Sequence, residues 1–599
     1  MKRHYLMILF LLLPLMVCAQ GRKNRNLEVA KNLDIFNEVY QNLDMLYVDT
    51  LNANEVVGTG IKAMLRSLDP YTEYYPESET SNLKMMLTGK YAGVGALIRY
   101  HQKLKRVVID EPYEGMPAAE VGLKKGDIVL SIDDSLMTDK DVSYVSNRLR
   151  GDAGTKFVLK VLRPSTGKKM DFKITRRAIK LPELPYYGMI DEDSKIGYIN
   201  LNQFTEGCAR EVRRAFVDLK KQGATSLIFD LRNNGGGSEM ESVDIVNLWV
   251  DKDQTIVENR GKIKQFWHTY KTRLEPVDTQ MPLVVLVNGE TASASEITSG
   301  ALQDLDRAII IGTRTYGKGL VQVPLDMPYN TNVKITTSKY YIPSGRCIQA
   351  INYSKQRTDN SGEPQRAGSL YGERTPDSLT HVFYTRAGRE VRDGGGIKPD
   401  VELKGDTIPN IAFYLSASGQ DSTEVMFDYV VDYIAKHPTI APAAEFHLTD
   451  ADWQEFKERV VKSGFTFDPV SKKQFAELVK TAKFEGYYEG AKAAFDSLES
   501  KLNHDVAFAL DRNEKVVRQI LEADIIAAYY YQAGAIEAGL NYDNQLKEAV
   551  RLLKNPEEYK KVLAPQKAKE TSSLIRLEKK PVGNITAKRQ EPLIFSAIA

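Results

Sequence analysis

Residues 288 to 322 read NGETASASEITSGALQDLDRAIIIGTRTYGKGLVQ. Two hydroxyls, Ser293 and Ser295, stand in a run of small residues, and one lysine, Lys318, stands between Gly317 and Gly319. An apolar strand, Leu283 to Val287, feeds this segment, and Ala292 to about Leu302 has helical character. A hydroxyl at a strand-to-helix junction lies beside the free N–H groups of the first helical turn. Those donors and the helix dipole favour negative charge that develops there. Small neighbours leave room for a substrate carbonyl. The pattern suits acyl transfer by a serine nucleophile.

Such a serine needs a base. No histidine lies in the segment, and the nearest, His268 and His381, sit in no convincing loop. Lys318 is the other candidate, and it can accept a proton only when neutral. Bringing a lysine from about 10.4 to near 7 or 8 costs on the order of 3–5 kcal/mol, which burial can impose. Gly317 and Gly319 let backbone pack closely around its stem. Ser–Lys pairs are a known variant of the nucleophile-base arrangement. Gln322 follows on the same run and can orient the amine through its side-chain oxygen. Taken singly, Ser293 also reads as a helix N-cap and Lys318 as a turn residue. A third stretch, Asp230-Leu231-Arg232-Asn233-Asn234-Gly235-Gly236-Gly237, follows the strand Ser226 to Phe229. Alone, its glycines say only that backbone comes close to something there or takes positive φ.

All three stretches follow the ends of apolar strands, where sites in open α/β sheets fall. Residues 177–403 alternate strands (196–201, 226–231, 282–287, 308–311, 333–337) with a helix over 206–221, which predicts an α/β core. Residues 28–88 predict a helical cap or arm, with helices over 37–47 and 53–68 ended by Asp69-Pro70. Residues 89–176 change to short strands around glycine turns. Tyr91 to Ala96 is a glycine-rich turn, Pro117 to Val121 a short helix, Ile128 to Ile132 a strand and Asp139 to Leu149 an amphipathic helix. Residues 404–560 predict a helical C-terminal domain, in which the apolar run Ala523 to Tyr531 is buried. Residues 561–599 read as a flexible, lysine-rich tail.

The order of elements in 89–176 resembles a PDZ domain. In that fold, loop N–H groups seat a peptide's terminal carboxylate and the peptide adds as an edge strand. The resemblance implies Gly93, Val94 and Gly95 as the carboxylate loop, with Arg99 or Arg106 near enough to help place a tail. The Ser-Ala-Ser-Glu run, Gly-Lys-Gly and the following glutamine resemble the C-terminal processing peptidases, the tail-specific proteases of the S41 serine peptidases. Leu68-Asp69-Pro70-Tyr71 and Gly395 to Asp400 agree with it, so the resemblance covers roughly residues 30 to 400. It implies Ser293 as nucleophile, Lys318 as general base and Gln322 as the residue that positions the lysine. Ser295 becomes structural, and Glu296 helps hold the helix start. Ala294 supplies one oxyanion-hole N–H and Gly237, or its neighbour Gly236, the other. Many members carry proline where this chain has Gly235. The expected protein is therefore an α/β peptidase core with an inserted PDZ domain, an N-terminal helical segment and a largely helical C-terminal region. It cleaves proteins that present a free apolar C-terminus, without a metal or other cofactor. A non-catalytic PDZ scaffold or adaptor is the alternative.

Composition agrees with a multidomain globular chain. It has 599 residues, of which 42 % are hydrophobic and 27 % charged, with a net charge of +2. So small a net charge, without a basic stripe, argues against nucleic acid as a partner. The seven histidines form no metal-ligand spacing. Met1 to Ala19 has a basic start, an apolar run from Leu6 to Val17 and small residues at a cut, which predicts a secretory signal peptide and a periplasmic protein. Acylation at Cys18, which would anchor the chain to a membrane, is the rival reading. After processing, Cys208 and Cys347 remain. A homo-oligomer through the helical regions and an activating adaptor are further expectations.

Overall fold

A computed structural model describes residues 25–80, 83, 90–180, 182–191, 193–351, 353, 377–405, 407–417, 423–467, 470–502 and 505–565. The expected signal peptide, with Cys18, lies outside them, as does almost all of the lysine-rich end. The described chain opens in helix α1 (25–46), followed by α2 (Ala53–Arg66), whose N-terminal N–H groups are capped by Asn52. Asp69 then shapes the turn that ends this arm. Its carboxylate accepts from the N–H groups of Tyr71 and Thr72, both at 2.8 Å. The turn leads into a strand, β1 (Glu73–Tyr75), inside the region 28–88 expected as a helical cap or arm but past the helices that periodicity predicts.

A strand-rich unit follows: β2 (Lys90–Gly93), β3 (Ala96–His101), β4 (Arg106–Pro112), α3 (Pro117–Glu120), β5 (Ile128–Ile132), β6 (Ser135–Leu136), α4 (Val142–Leu149), β7 (Lys156–Arg163), β8 (Lys168–Thr175) and β9 (Arg177–Lys180). Its sheet has the order β3-β4-β5-β7-β8, with β6 on β5. Val107, Ile109, Val129, Leu159 and Val161 fill its core. Outside that sheet, β2 and β9 pair antiparallel and form a two-strand stem. The stem reaches Lys180, beyond the boundary expected at 176.

The α/β section contains β10 (Tyr186–Asp191), β11 (Ile196–Asn200), α5 (Cys208–Lys221), β12 (Ser226–Asp230), α6 (Glu239–Val246), β13 (Thr255–Gly261), β14 (His268–Lys271), β15 (Leu283–Val287), α7 (Ala294–Asp304), β16 (Ile309–Gly312), β17 (Leu320–Met327), β18 (Thr331–Tyr341), β19 (Val382–Tyr384), β20 (Glu390–Arg392) and β21 (Val401–Glu402). The central sheet runs β10-β11-β12-β15-β16-β21; β10 is antiparallel to β11 and every other pair is parallel. Its inner strands are buried on both faces, which is why they read as unbroken apolar runs. Phe229, Leu283, Val285 and Val287 face a cluster with α5, α6 and α7. Ile228, Val284 and Leu286 alternate to the other face. Each such side chain contributes roughly 1.5–3 kcal/mol by leaving water. A second sheet, β1-β18-β13-β14 with β17 on β18, stands beside the first.

After Leu403 come α8 (Asn410–Ser416), α9 (Val425–Lys436), α10 (Asp450–Lys462), α11 (Val470–Phe484), α12 (Tyr488–Leu502), α13 (Val506–Arg512), α14 (Glu514–Leu540), α15 (Asn544–Leu553) and α16 (Pro556–Leu563). Helices α8 to α10, α13 and α14 share a core around Trp453, Phe456, Leu521, Ile525 and Ile526. The last two helices instead cover the second face of the central sheet with Leu546, Ala549, Leu552 and Tyr559. Tyr559 hydroxyl accepts from Leu283 N–H at 3.0 Å and donates to Leu283 carbonyl at 2.9 Å. The boundary expected at 560 falls inside α16. Cys208 and Cys347 are both free thiols.

Candidate active site

Neighbouring parallel strands β12 and β15 end side by side, so the glycine stretch and the Ser293 junction emerge at the same edge. Ser293 occupies the N-cap position of α7 with φ 56° and ψ −117°. A capping serine is normally extended, and positive φ is costly for a residue with a Cβ. The residue is only partly buried, whereas Ala294, Ser295 and Glu296 behind it are fully buried.

The glycine loop packs directly on this turn. A Cβ on Gly236, at φ 93°, would lie 2.6 Å from Ala292 carbonyl and 2.8 Å from Ala294 nitrogen. Asn234, wholly buried, holds the loop. Its side-chain oxygen accepts from Gly236 N–H at 2.9 Å, and its carbonyl accepts from Ala292 N–H at 3.0 Å and Ser295 hydroxyl at 2.9 Å. Ser295 is thereby a tie between the two loops. Gly236 N–H is engaged, whereas neither Gly237 N–H nor Ala294 N–H donates a hydrogen bond among the described residues. Two unpaired N–H groups beside a strained serine form a donor pair for an oxyanion.

Glu296 joins the serine to the lysine. It is fully buried and accepts from Ser293 N–H (2.9 Å), Lys318 N–H (2.9 Å), Gly317 N–H (2.7 Å) and Thr315 hydroxyl (2.5 Å). One oxygen, Oε2, takes both the Ser293 and the Lys318 N–H groups. Burial pushes this carboxyl up, and the four donors pull it back. Its position as a helix-start carboxylate is legible in sequence; its grip on the lysine loop is not. The glycine bracket has a matching cause. A Cβ on Gly317 (φ 89°) would meet Ala350 Cβ at 2.5 Å, and one on Gly319 would meet Gln349 nitrogen at 2.8 Å.

Lys318 is largely buried, and its amine lies 4.8 Å from the centre of the Tyr71 ring. Burial first, and the charge of Lys334 second, lower its pKa to about 8; Glu296, Glu73 and Asp69 oppose them. Such an amine is neutral in a substantial fraction of molecules at mildly alkaline pH. Gln322 sits at an irregularity in the β17–β18 register, which re-aims its side chain. Its amide nitrogen donates to Thr336 hydroxyl at 3.1 Å, which leaves its side-chain oxygen free to accept. Lys334 and Thr336 carry no motif of their own and reach the site across the β17–β18 hairpin, and Tyr71, within the Leu68-Asp69-Pro70-Tyr71 stretch, meets the lysine from a turn far upstream. His381 pairs with Asp393 and His268 packs on Tyr270, so neither serves Ser293. No cluster of metal-ligand residues occurs among the described residues.

In the strand-rich unit, Gly93 ends β2 and Val94 is buried. Gly95 takes φ 72°, where a Cβ would strike Met116 Cβ at 2.5 Å. Arg99 is engaged with the helical region instead of standing free near the loop. It pairs with Glu424 at 2.5 Å and lies 4.7 Å from the Phe427 ring, against the helical region. Arg106 donates to Thr138.

A strained serine beside two unpaired N–H groups, on an α/β sheet carrying a PDZ-type insertion, is the layout of a serine peptidase acting on peptides or proteins. Family models agree along most of the chain: "Peptidase family S41" over residues 195–355, "PDZ domain" over 108–163 and "Probable PDZ-protease, C-terminal helical domain" over 414–553. A carboxy-terminal-processing protease of Bartonella bacilliformis is 32 % identical over 57 % of this chain and 78 % of its own length. A carboxyl-terminal-processing protease of Synechocystis sp. is 36 % identical over 50 % of this chain and 70 % of its own. A solved photosystem II D1 C-terminal processing protease shares 26 % identity over 62 % of this chain and 87 % of that one, at a TM-score of 0.34. The chain belongs to peptidase family S41, among its PDZ-containing C-terminal processing proteases.

Proposed function

We propose that the protein is an endopeptidase that captures the free apolar C-terminus of a protein substrate on its PDZ domain and cleaves with a Ser293–Lys318 dyad. The observation that carries this reading is Glu296, whose one carboxylate fixes the backbone of both residues while the lysine amine lies largely buried. Neutral Lys318 takes the proton as Ser293 Oγ attacks the scissile carbonyl, with Gln322 orienting the amine. Ala294 and Gly237 N–H groups receive the oxyanion. Lys318 then passes its proton to the leaving amine, and water releases the acyl group from Ser293. Gly93, Val94 and Gly95 are the residues proposed to seat the substrate carboxylate.

Export to the periplasm, with removal of residues 1–19, is part of the same proposal, as are regulation by an adaptor and self-association. Self-association is supported by α1, which exposes Leu33, Phe36, Leu43 and Leu46. Cleavage of a protein with an apolar tail, by wild type and Ser293→Ala in parallel with products read by mass spectrometry, tests the central claim. Loss of cleavage in the variant, with the tail still bound, is expected. Cleavage by Ser293→Ala would remove the nucleophile assignment, and tail binding without cleavage by wild type would favour a scaffold. Amidating the substrate's C-terminus is expected to weaken capture.

A further inference from the structure

Lys318 has a second lysine for a neighbour. Lys334 lies on β18 and points to the same side as Thr336, two residues on, which holds the Gln322 amide. On its other flank β18 pairs with β1, with Lys334 opposite Glu73. Lys334 Nζ is 2.5 Å from Glu73 Oε2 and donates to Tyr75 hydroxyl at 3.2 Å. Tyr75 hydroxyl in turn donates to the same Glu73 oxygen at 2.8 Å. Two residues before Glu73, the Tyr71 ring carries the Lys318 amine. One short segment from upstream of the PDZ insertion therefore touches both lysines.

We propose that Lys334 keeps the Lys318 amine uncharged through its own fixed positive charge, and that Glu73 and Tyr75 hold Lys334 in place and set how strongly it acts. The inference rests on Lys318 being the general base. A cation beside a buried lysine is an established way to favour its neutral form. Three carboxylates act on Lys318 in the opposite sense: Asp69 and Glu73 from the N-terminal segment and Glu296 from α7. Tyr71 adds a ring face that favours the charged form. Against these stand burial and the charge of Lys334. Glu73 is both partner of Lys334 and opponent of Lys334's effect, so changes at the two positions have opposite signs.

The test is kcat/KM against pH, from 5 to 10, for an internally quenched peptide with a free apolar C-terminus. Wild type, Lys334→Met, Lys334→Arg and Glu73→Gln are compared. Lys334→Met is expected to move the acid limb up by about one pH unit, with roughly tenfold loss below the limb and recovery at high pH. Lys334→Arg is expected to keep the wild-type limb, and Glu73→Gln to move it down. An unmoved limb in Lys334→Met and Glu73→Gln, or a loss by Lys334→Met that is uniform with pH, would overturn the proposal. If Lys334→Met does not fold, Lys334→Gln takes its place with the same expected upward shift of the limb, and an unmoved limb there overturns the proposal. Lys318→Ala separates the two readings. Activity in that variant removes the dyad itself, whereas its inactivity with unmoved limbs elsewhere removes only the role of Lys334.

Discussion

Lys318 sits where the charged form that water favours is disfavoured, and below its lowered pKa the fold bears the cost of that charge. Its pKa falls to about 8 in the folded protein, from about 10.4 in an unfolded chain. Between those values the unfolded chain binds more protons, so stability rises with pH across that window. Below pH 8 the whole penalty is present, on the order of 3 kcal/mol. Lys318→Met is therefore expected to abolish cleavage and yet melt above wild type at pH 7, with the gap closing as pH approaches 10. Equal melting curves at pH 7 would mean that the lysine is not strained. Ser293, Lys318 and Gln322 are legible in sequence because their glycines and small neighbours are local. Glu296 is visible only as a helix-start acid. Tyr71 and Lys334 are invisible as site residues, because only the Asp69 turn and the β17–β18 hairpin bring them to the lysine.

At the scale of the element, the glycine loop divides into positions with different demands. A Cβ on Gly236 would enter the backbone of Ala292 and Ala294, which cannot give way without moving the serine. Gly235 has open space around its Cβ position and no positive φ. Gly236→Ala is thus expected to lose about 10²–10³ in kcat while still binding a tail, as loss of an oxyanion donor does. Gly235→Ala is expected to stay near wild type. Parallel assays of the two variants check this, and equal losses would show that the whole loop, rather than its contact with Ala294, is at stake. The run itself announces a close backbone approach. Which glycine makes it depends on strand β15 lying beside β12, a fact of topology. The central strands are likewise legible as apolar runs. The strands β1, β13, β14 and β17 are not, since their half-exposed faces mix charged and apolar residues.

The whole molecule has an exposed arm and a concealed brace. From α1 to the residue just past it, Val29, Leu33, Phe36, Tyr40, Leu43 and Tyr47 recur at spacings of four and three, a pattern that suits the seam of a helix pair. Within α1, Arg25 and Lys31 stand towards the start, with Glu28 between them, and Asp34, Glu38 and Asp44 towards the end, so an antiparallel second copy would meet mostly opposite charge. Sedimentation is expected to find a self-associated species, and Leu33→Asp with Leu43→Asp to dissociate it; an unaltered distribution would exclude this seam. The helical texture beyond residue 403 is plain in sequence, but its last part looks like an appendage and is instead a wall of the central sheet. The apolar residues on both faces of β12 and β15 show that two layers must cover them, without saying from where the second comes. That arrangement fixes an order in time. A chain made from its N-terminus has Ser293 and Lys318 in hand long before Tyr559 can close on Leu283. Until then one face of the sheet beneath the serine stays wet, so a newly made protease is poorly assembled while its own unfolded segments are still within reach.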